Sequence, residues 1–436
     1  MPEIATMRPG DMVRSFVAEQ GLLYPDGNGM VRLPILVRGE LRCPEAISRE
    51  RALSALGTDE YIDTGTVQIM RRPLLDPAAG SQLFVLPTIS NPKELIVDPS
   101  DHFATGLGRL RANEIAEYLE RVGALLGAGT VLSDAVREVS HALDDTPIAY
   151  VDAALDELTS AFAPAHTLGA IDRELSFGSV PGRSFLDDWV GLDPAPAGLT
   201  ARLSGIVHGG GPLPPRAARV HAASTRQLHI TAGNSPVIPI ISAIRGLSVR
   251  GAVTLKMPSG ALVAGAALAL ALRGAGPTHP LTRFSSVAYW RGGDERIEGT
   301  LLAPEAFDRI VVWGAPDAVD SVSARCGRTK TLLFNPRYGV SLIGAGALGP
   351  DRFHDTVRRA VTDALVWNQK ACIASLVLYV ECDAEGAHRF AEAVAAELAH
   401  WEDRFPSSLS GEANAAVRRA RRGGMRHGAW YSNGDP

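Results

Sequence analysis

Residues Gln227–Gly276 read QLHITAGNSPVIPIISAIRGLSVRGAVTLKMPSGALVAGAALALALRGAG. Two short apolar runs, QLHITAG and AVTLKM, alternate with two apolar stretches of helical length, PVIPIISAIRGL and ALVAGAALALAL. Such alternation marks βαβ units, in which parallel strands build a sheet and the crossover helices cover its faces. The pattern runs on through SSVAYW and RIVVWG to DAVDSVSARC. Ligands of open parallel sheets bind beyond the carboxyl ends of the strands. Three sharp turns follow the strand-like runs, at Ala232-Gly233-Asn234, Met257-Pro258-Ser259 and Trp313-Gly314-Ala315, and they mark the edge where a site belongs.

Upstream the texture differs. Gly205–Val220, GIVHGGGPLPPRAARV, has the Gly and Pro density of an exposed connection. NEIAEYLERVGALL, Asn113–Leu126, spaces its apolar residues as a helix does, and helical stretches continue to about Phe162. Residues 1 to about 100 carry short β-rich runs, VRLPILVRG and SQLFVLPTI, broken by Pro and Gly, which predicts a small strand-containing region rather than a helical one. The division that follows is an N-terminal β-containing region over 1–105, an α/β unit with N-terminal helices over 106–332, and a further α/β unit over 333–436.

Composition narrows the class. At 436 residues and 46% hydrophobic, the chain can build two or three cores. A net charge of -5 gives no global basic field to gather nucleic acid or anionic lipid. Cys43, Cys326, Cys372 and Cys382 are too irregularly spaced for a disulfide framework or a zinc finger, which fits a reducing cytoplasm. The N-terminus does not read as a signal peptide, since no apolar stretch follows its early charges. The most membrane-like stretch, Ala261–Gly276, falls far short of the roughly 20 apolar residues a span requires; its small side chains suit a helix buried against a sheet. No membrane span is expected.

In VWNQKACIASLVLYVE, Cys372 stands between a predicted helix ending near Asn368 and a predicted strand over Leu376–Glu381. A thiol on so short a turn can be exposed and lie near backbone N–H groups, the environment of a reactive thiolate. Free cysteines are more often buried and inert, and by itself this segment favours that reading.

Several motifs taken together alter the balance. HITAGNSP followed by LKMPS, RIVVWG, WNQKACIAS, and also LPILVRG, SVAYWRGGD and FNPRYGVSLIG, resemble the acyl-CoA reductase family, the lux-type fatty acyl reductases of the aldehyde dehydrogenase superfamily. The resemblance covers most of residues 33–430, with motifs specific in combination and weak singly. It implies an α/β, aldehyde-dehydrogenase-like fold with a Rossmann-type parallel-sheet cofactor domain. It also implies NADPH-dependent reduction of a long-chain acyl-CoA or acyl-carrier-protein thioester to an aldehyde.

By the same resemblance Cys372 matches the nucleophile, and Asn234, 138 residues earlier, matches the amide of the oxyanion hole. Thr231, Ala232 and Gly233 precede that amide in a turn matched to the cofactor edge. Lys256 and Ser259 match positions facing the adenosine ribose, and Trp313 and Gly314 match a turn near the nicotinamide and pyrophosphate. Ser259 stands where NAD-preferring relatives often carry a glutamate, so the resemblance points to NADPH, with NADH the secondary choice and coenzyme A as leaving group. Leu333 stands at about the position of the glutamate that activates water in aldehyde-oxidising relatives. Leucine cannot be a general base, and no carboxylate occurs between Arg325 and Leu348.

The family continues well beyond the final GAWYSNGDP, so an incomplete catalytic domain is expected. An acyl-transferring or synthetase partner and a homo-oligomer are further implied. Two other readings stand beside the reductase: a CoA-acylating aldehyde dehydrogenase working oxidatively, and a non-catalytic scaffold subunit of a reductase complex.

Remaining features favour plain readings. The histidines show no ligand spacing, so no metal site is expected. His229, five residues before Asn234, is more readily a hydrogen-bonded core residue than a catalytic acid. Asp187 and Asp188, read as adjacent residues of an extended segment, would point to opposite faces and serve the surface. Gly209–Gly211 read as linker because prolines follow, and Arg418, Arg419, Arg421, Arg422 and Arg426 as a solvated helix end.

Overall fold

The computed structural model describes residues 7–75, 77–98, 100–101, 106–143, 146–192, 218–327, 330–334, 339–405 and 418–419. The readings of Gly209–Gly211 and of Arg421, Arg422 and Arg426 lie outside the described residues.

The alternating stretch forms the predicted sheet. Seven strands lie in the order Thr331–Phe334, Arg309–Trp313, Arg226–Ile230, Ala252–Lys256, Ser286–Ala288, Ile35–Val37 and Glu40–Arg42. The first five are mutually parallel. The last two pair antiparallel and come from the N-terminal region, which thereby extends the central sheet. Helices Val237–Ser248, Leu262–Ala275, Glu295–Leu301 and Pro316–Cys326 make the crossovers. Leu262–Ala275, the most membrane-like stretch of the sequence, is buried along nearly its whole length. Its alanines admit close neighbours: helix Ala112–Leu126 packs on it, and a Cβ on Gly274 would meet Val13 at 2.7 Å and Leu125 at 3.0 Å. Among the described residues no helix is long and apolar enough to cross a membrane.

The N-terminal region is more helical than its sequence suggests. Besides a four-stranded sheet, in the order Met30–Arg32, Ser81–Pro87, Val67–Pro73, Tyr61–Asp63, it contains helices Pro9–Gln20 and Arg49–Leu56. The second escapes a periodicity reading because it buries just Ala52 and Leu56. What starts it is Ser48, whose side chain accepts from the Arg51 N–H at 3.3 Å. Met30, Val67, Ile69, Leu83 and Val85 close a small separate core with it.

The middle segment is helical as predicted and continues through Pro164–Glu174 and Gly182–Asp187. The Asp187-Asp188 reading needs correction. Asp187 is the last residue of a short helix, not part of an extended run, and its Oδ1 accepts the Ala112 N–H at 2.7 Å. Helix Ala112–Leu126 thus has one of its unpartnered first-turn donors satisfied from a distant element.

After the sheet the chain builds a smaller unit. Strands Gly339–Ile343 and Ser375–Val380 pair in parallel, and helices Phe353–Leu365 and Ala384–Arg404 cover one face through Ile343, Val357, Ala360 and Phe390. On the opposite face Leu342 is 80% exposed and Tyr379 is 59% exposed. Helix Phe353–Leu365 stops three residues short of Asn368, and the turn that replaces its last residues bears on the site below.

Replacing Asp187 with Ala is expected to destabilise the protein by about 1 kcal/mol, the ordinary worth of a helix N-terminal partner. A urea unfolding curve measures this, and an unchanged midpoint would show that solvent satisfies Ala112 equally well.

Candidate active site

The described sheet reverses its order beside strand Arg226–Ile230. The chain proceeds outward through Ala252–Lys256 to Ser286–Ala288, then returns to the other flank with Arg309–Trp313 and Thr331–Phe334. Loops leaving the carboxyl ends at such a reversal diverge and open a crevice. The turns Thr231–Asn234 and Trp313–Gly314 border this reversal, and Lys256–Ser259 follows on the next strand. Residues far apart in sequence thus share one edge.

Two of these turns touch without side chains between them. A Cβ on Gly233 would stand 2.9 Å from Gly260 Cα and 3.3 Å from Pro258 Cβ. The Thr231 hydroxyl ties the same turns by donating to the Lys256 carbonyl at 3.1 Å. The half-buried Lys256 lifts its ammonium over Trp290, 5.6 Å from the ring centroid. Burial pushes the Lys256 amine below its usual range, and Glu298 opposes that shift. Ser259 is exposed on the same turn.

Across the reversal a buried chain of hydrogen bonds orients Trp313. Its indole N–H donates to Ser242 Oγ at 3.0 Å, and Ser242 lies 2.8 Å from His229 Nδ1. His229 Nε2 is 3.0 Å from Gln227 Oε1, while the Gln227 amide donates to Thr225 Oγ1 at 2.8 Å. The directions are consistent with one tautomer: His229 donates from Nε2 and accepts the Ser242 hydroxyl at Nδ1. Burial pushes His229 down to about 4, so it is neutral near pH 7. His229 is therefore the hydrogen-bonded core residue favoured above. Trp313 itself stacks on Phe334, with centroids 3.9 Å apart and planes 4° from parallel.

Cys372 reaches this edge through an unusual turn. Trp367, Asn368 and Gln369 have φ of 53°, 50° and 63°, three consecutive non-glycine residues in the left-handed region. That conformation costs about 1–2 kcal/mol per residue relative to the right-handed one, so surrounding contacts must hold it. One of them is Asn234, whose Nδ2 donates to the Lys370 carbonyl at 2.9 Å. The structure therefore brings the Asn234 turn and the Cys372 turn into contact, and leaves Cys372 exposed. Leu333 is half-buried on strand Thr331–Phe334, where it packs against the central core.

Ser242, Gln227, Phe334, Trp367 and Lys370 were not singled out from sequence. Ser242, Phe334, Trp367 and Lys370 act through neighbours 13 or more residues away, so no local motif marks them, and Gln227 matters only through the buried His229–Ser242 pair that the fold assembles.

Residues 217–429 match the family model described as Acyl-CoA reductase (LuxC). A long-chain acyl-protein thioester reductase of Vibrio harveyi is 27% identical over 162 residues, which are 36% of this chain and 32% of that protein. Over these residues the chain is similar to the LuxC-type acyl-CoA reductases. A second long-chain acyl-protein thioester reductase, from Photorhabdus laumondii, is 27% identical over 156 residues, covering 35% of this chain and 31% of that one. The alignments thus span about a third of these curated relatives. Among solved structures, an NADP-dependent enzyme of E. coli superposes with a TM-score of 0.56 at 16% identity, over 84% of this chain and 63% of that one. An aldehyde dehydrogenase of Brucella melitensis gives a TM-score of 0.55 at 15% identity, with the same coverage. The fold is aldehyde-dehydrogenase-like, as the sequence motifs imply.

The neutral His229 has a consequence for stability. Below pH 6.5 the unfolded chain takes up a proton that the folded chain refuses until about pH 4, so stability falls with falling pH in that window. The full difference is roughly 3 kcal/mol. His229→Gln is expected to flatten the pH dependence of unfolding free energy between these limits by about one proton. His279, also pushed down to about 4 by burial, leaves a residual slope of the same sign. A variant as acid-sensitive as the parent would contradict the assignment.

Proposed function

We propose that this chain reduces an acyl thioester to an aldehyde through a covalent acyl-Cys372 intermediate. The observation that carries the reading is the Asn234–Lys370 hydrogen bond, which sets an amide donor beside the turn bearing an exposed thiol. The Cys372 thiolate attacks the acyl carbon, and the carbonyl oxygen takes up negative charge. The Asn234 amide has two N–H groups; one holds Lys370, and the other, with the Cys372 backbone N–H, stabilises the oxyanion. The intermediate collapses with expulsion of the donor thiol, coenzyme A or a carrier-protein thiol, leaving a thioester on Cys372. With Leu333 in place of a base, and no carboxylate between Arg325 and Leu348, water is not activated against it.

A nicotinamide dinucleotide suits the carboxyl edge of the sheet. Lys256 and the exposed Ser259 would meet the adenosine ribose, Thr231–Gly233 line the same edge, and Trp313–Gly314 would flank the nicotinamide end. When bound, it would supply hydride to the acyl carbon, after which the C–S bond to Cys372 would break, releasing the aldehyde and restoring the thiolate. Ser259 bears no charge to repel a 2′-phosphate, which favours NADPH. The chain's own groups thus bind, orient and exclude hydrolysis.

The test mixes the protein with NADPH and a panel of acyl-CoAs and follows oxidation of the cofactor. Cys372→Ala is expected to abolish turnover and any acyl adduct seen by mass spectrometry. Asn234→Ala should lower kcat by about 10²–10³, the usual cost of one oxyanion donor. Ser259→Glu should raise KM for NADPH more than for NADH. Normal turnover by Cys372→Ala would sink the mechanism.

A further inference from the structure

Glu298, on helix Glu295–Leu301, is a buried carboxylate that the mechanism above does not use. Glutamates are rarely buried unless they are paired. Its Oε1 accepts the Trp290 indole N–H at 3.3 Å, and its Oε2 accepts the Gly293 N–H at 3.1 Å. Gly293 has φ of 83°, a conformation open to glycine, and it folds the loop back onto the carboxylate. The face of the same indole lies under Lys256, whose Nζ is 5.6 Å from the ring centroid. One aromatic ring thus has an anion at its N–H edge and an amine over its face. A carboxylate that accepts from the indole N–H polarises the ring, and a ring of greater electron density holds a cation more strongly.

Ring and charge act in the same sense. Burial drives the Lys256 amine toward its neutral form, and Glu298 opposes that shift. The other ionisable groups nearby are engaged elsewhere or uncharged. Arg291 rests over Tyr61, 5.7 Å from its centroid, Asp294 pairs with Arg296 at 3.9 Å, and Glu295 pairs with Arg325 at 2.8 Å. Glu94, on the turn Pro92–Leu95 that packs against this helix, pairs with Arg42 at 2.6 Å. Burial pushes the Cys326 thiol and the Tyr61 and Tyr289 hydroxyls up, and His229 on the adjoining strand down to about 4, so all four are neutral near pH 7. Glu298 is the anion that bears on Lys256.

We propose that Glu298 is a positioning residue for the cofactor: through Trp290 it seats the Lys256 side chain as a cation at the carboxyl edge of the sheet, where the anionic dinucleotide would meet it. The proposal rests on the cofactor reading above for what Lys256 meets, but one arm of its test needs no cofactor. The chain has four lysines, Lys93, Lys256, Lys330 and Lys370, so each amine can be followed separately. Intact protein is treated with acetic anhydride from about pH 7 to 10, up to the usual lysine range, and acetylation is read by peptide mass spectrometry with the exposed Lys93 as reference. An amine reacts in its neutral form. Glu298→Gln keeps an acceptor for the indole and removes the charge, so the Lys256 reactivity midpoint is expected to fall by about one pH unit, with Lys93 unchanged. In the second arm the dissociation constant for NADPH, read from its fluorescence on binding, should rise as Lys256 loses its proton, and Glu298→Gln should move that rise to lower pH by the same amount. Lys256→Arg fixes the positive charge, so its affinity should stay level across the range with or without Glu298→Gln. Trp290→Phe keeps a ring and removes the indole donor; it should move both readouts in the direction of Glu298→Gln by a smaller amount, and tests the proposal by itself if Glu298→Gln does not fold.

Equal Lys256 midpoints in the parent and in folded Glu298→Gln overturn the assignment, as does a Trp290→Phe variant that matches the parent in both readouts. A carboxylate that merely held the loop together would weaken NADPH equally at every pH and equally in the Lys256→Arg background, and either result also overturns it. If the acetylation midpoint moves as expected while the parent binds no NADPH at any pH, the coupling of Glu298 to Lys256 is supported and the cofactor reading fails by itself.

Discussion

The contact on which the candidate site depends is one amide hydrogen bond, from Asn234 Nδ2 to the Lys370 carbonyl. Asn234 sits at the carboxyl edge of the seven-stranded sheet, and Lys370 belongs to the unit that follows it. Without that contact the two are joined by a strand end and by helix packing, neither of which sets the position of a particular backbone atom. An amide suits the position because it has a second N–H to spare after making the bond. A hydroxyl in its place would give its single proton to the carbonyl.

Around this contact the structure separates neutral from charged chemistry. On one side of the order reversal, His229, Ser242, Gln227 and Trp313 form a buried chain with no net charge at neutral pH. A charged imidazole there would lack an anionic partner, and burial accordingly suppresses it. The chain's effect is mechanical: it holds the Trp313 ring flat against Phe334. On the other side, Lys256 sets its amine over Trp290, where burial pushes its pKa down and Glu298 opposes that shift.

The Cys372 turn follows a different logic. Three left-handed residues in succession are unfavourable, and they persist because Asn234 fixes the turn at one end and the aromatic group around Tyr150 fixes it at the other. Local strain held by tertiary contacts ties the position of Cys372 to those contacts. A relaxed helix running on to Asn368 would have pointed the chain elsewhere, and Cys372 with it.

By itself the sequence determined the βαβ pattern, the buried helix Leu262–Ala275, the turns at Asn234, Ser259 and Gly314, and the resemblance that drew attention to Cys372. These are local periodicities and short motifs, which survive in a linear reading because neighbours in sequence create them. Tertiary structure decided the rest. It made Asp187 the partner of a helix start 75 residues away, placed N-terminal strands on the edge of the central sheet, and built the Trp313 platform from residues on three elements. It also set Asn234 against Lys370, 136 residues apart in the chain. Hydrogen bonds and cavities depend on distances between side chains that only the folded core brings together, and no periodicity in the sequence encodes them.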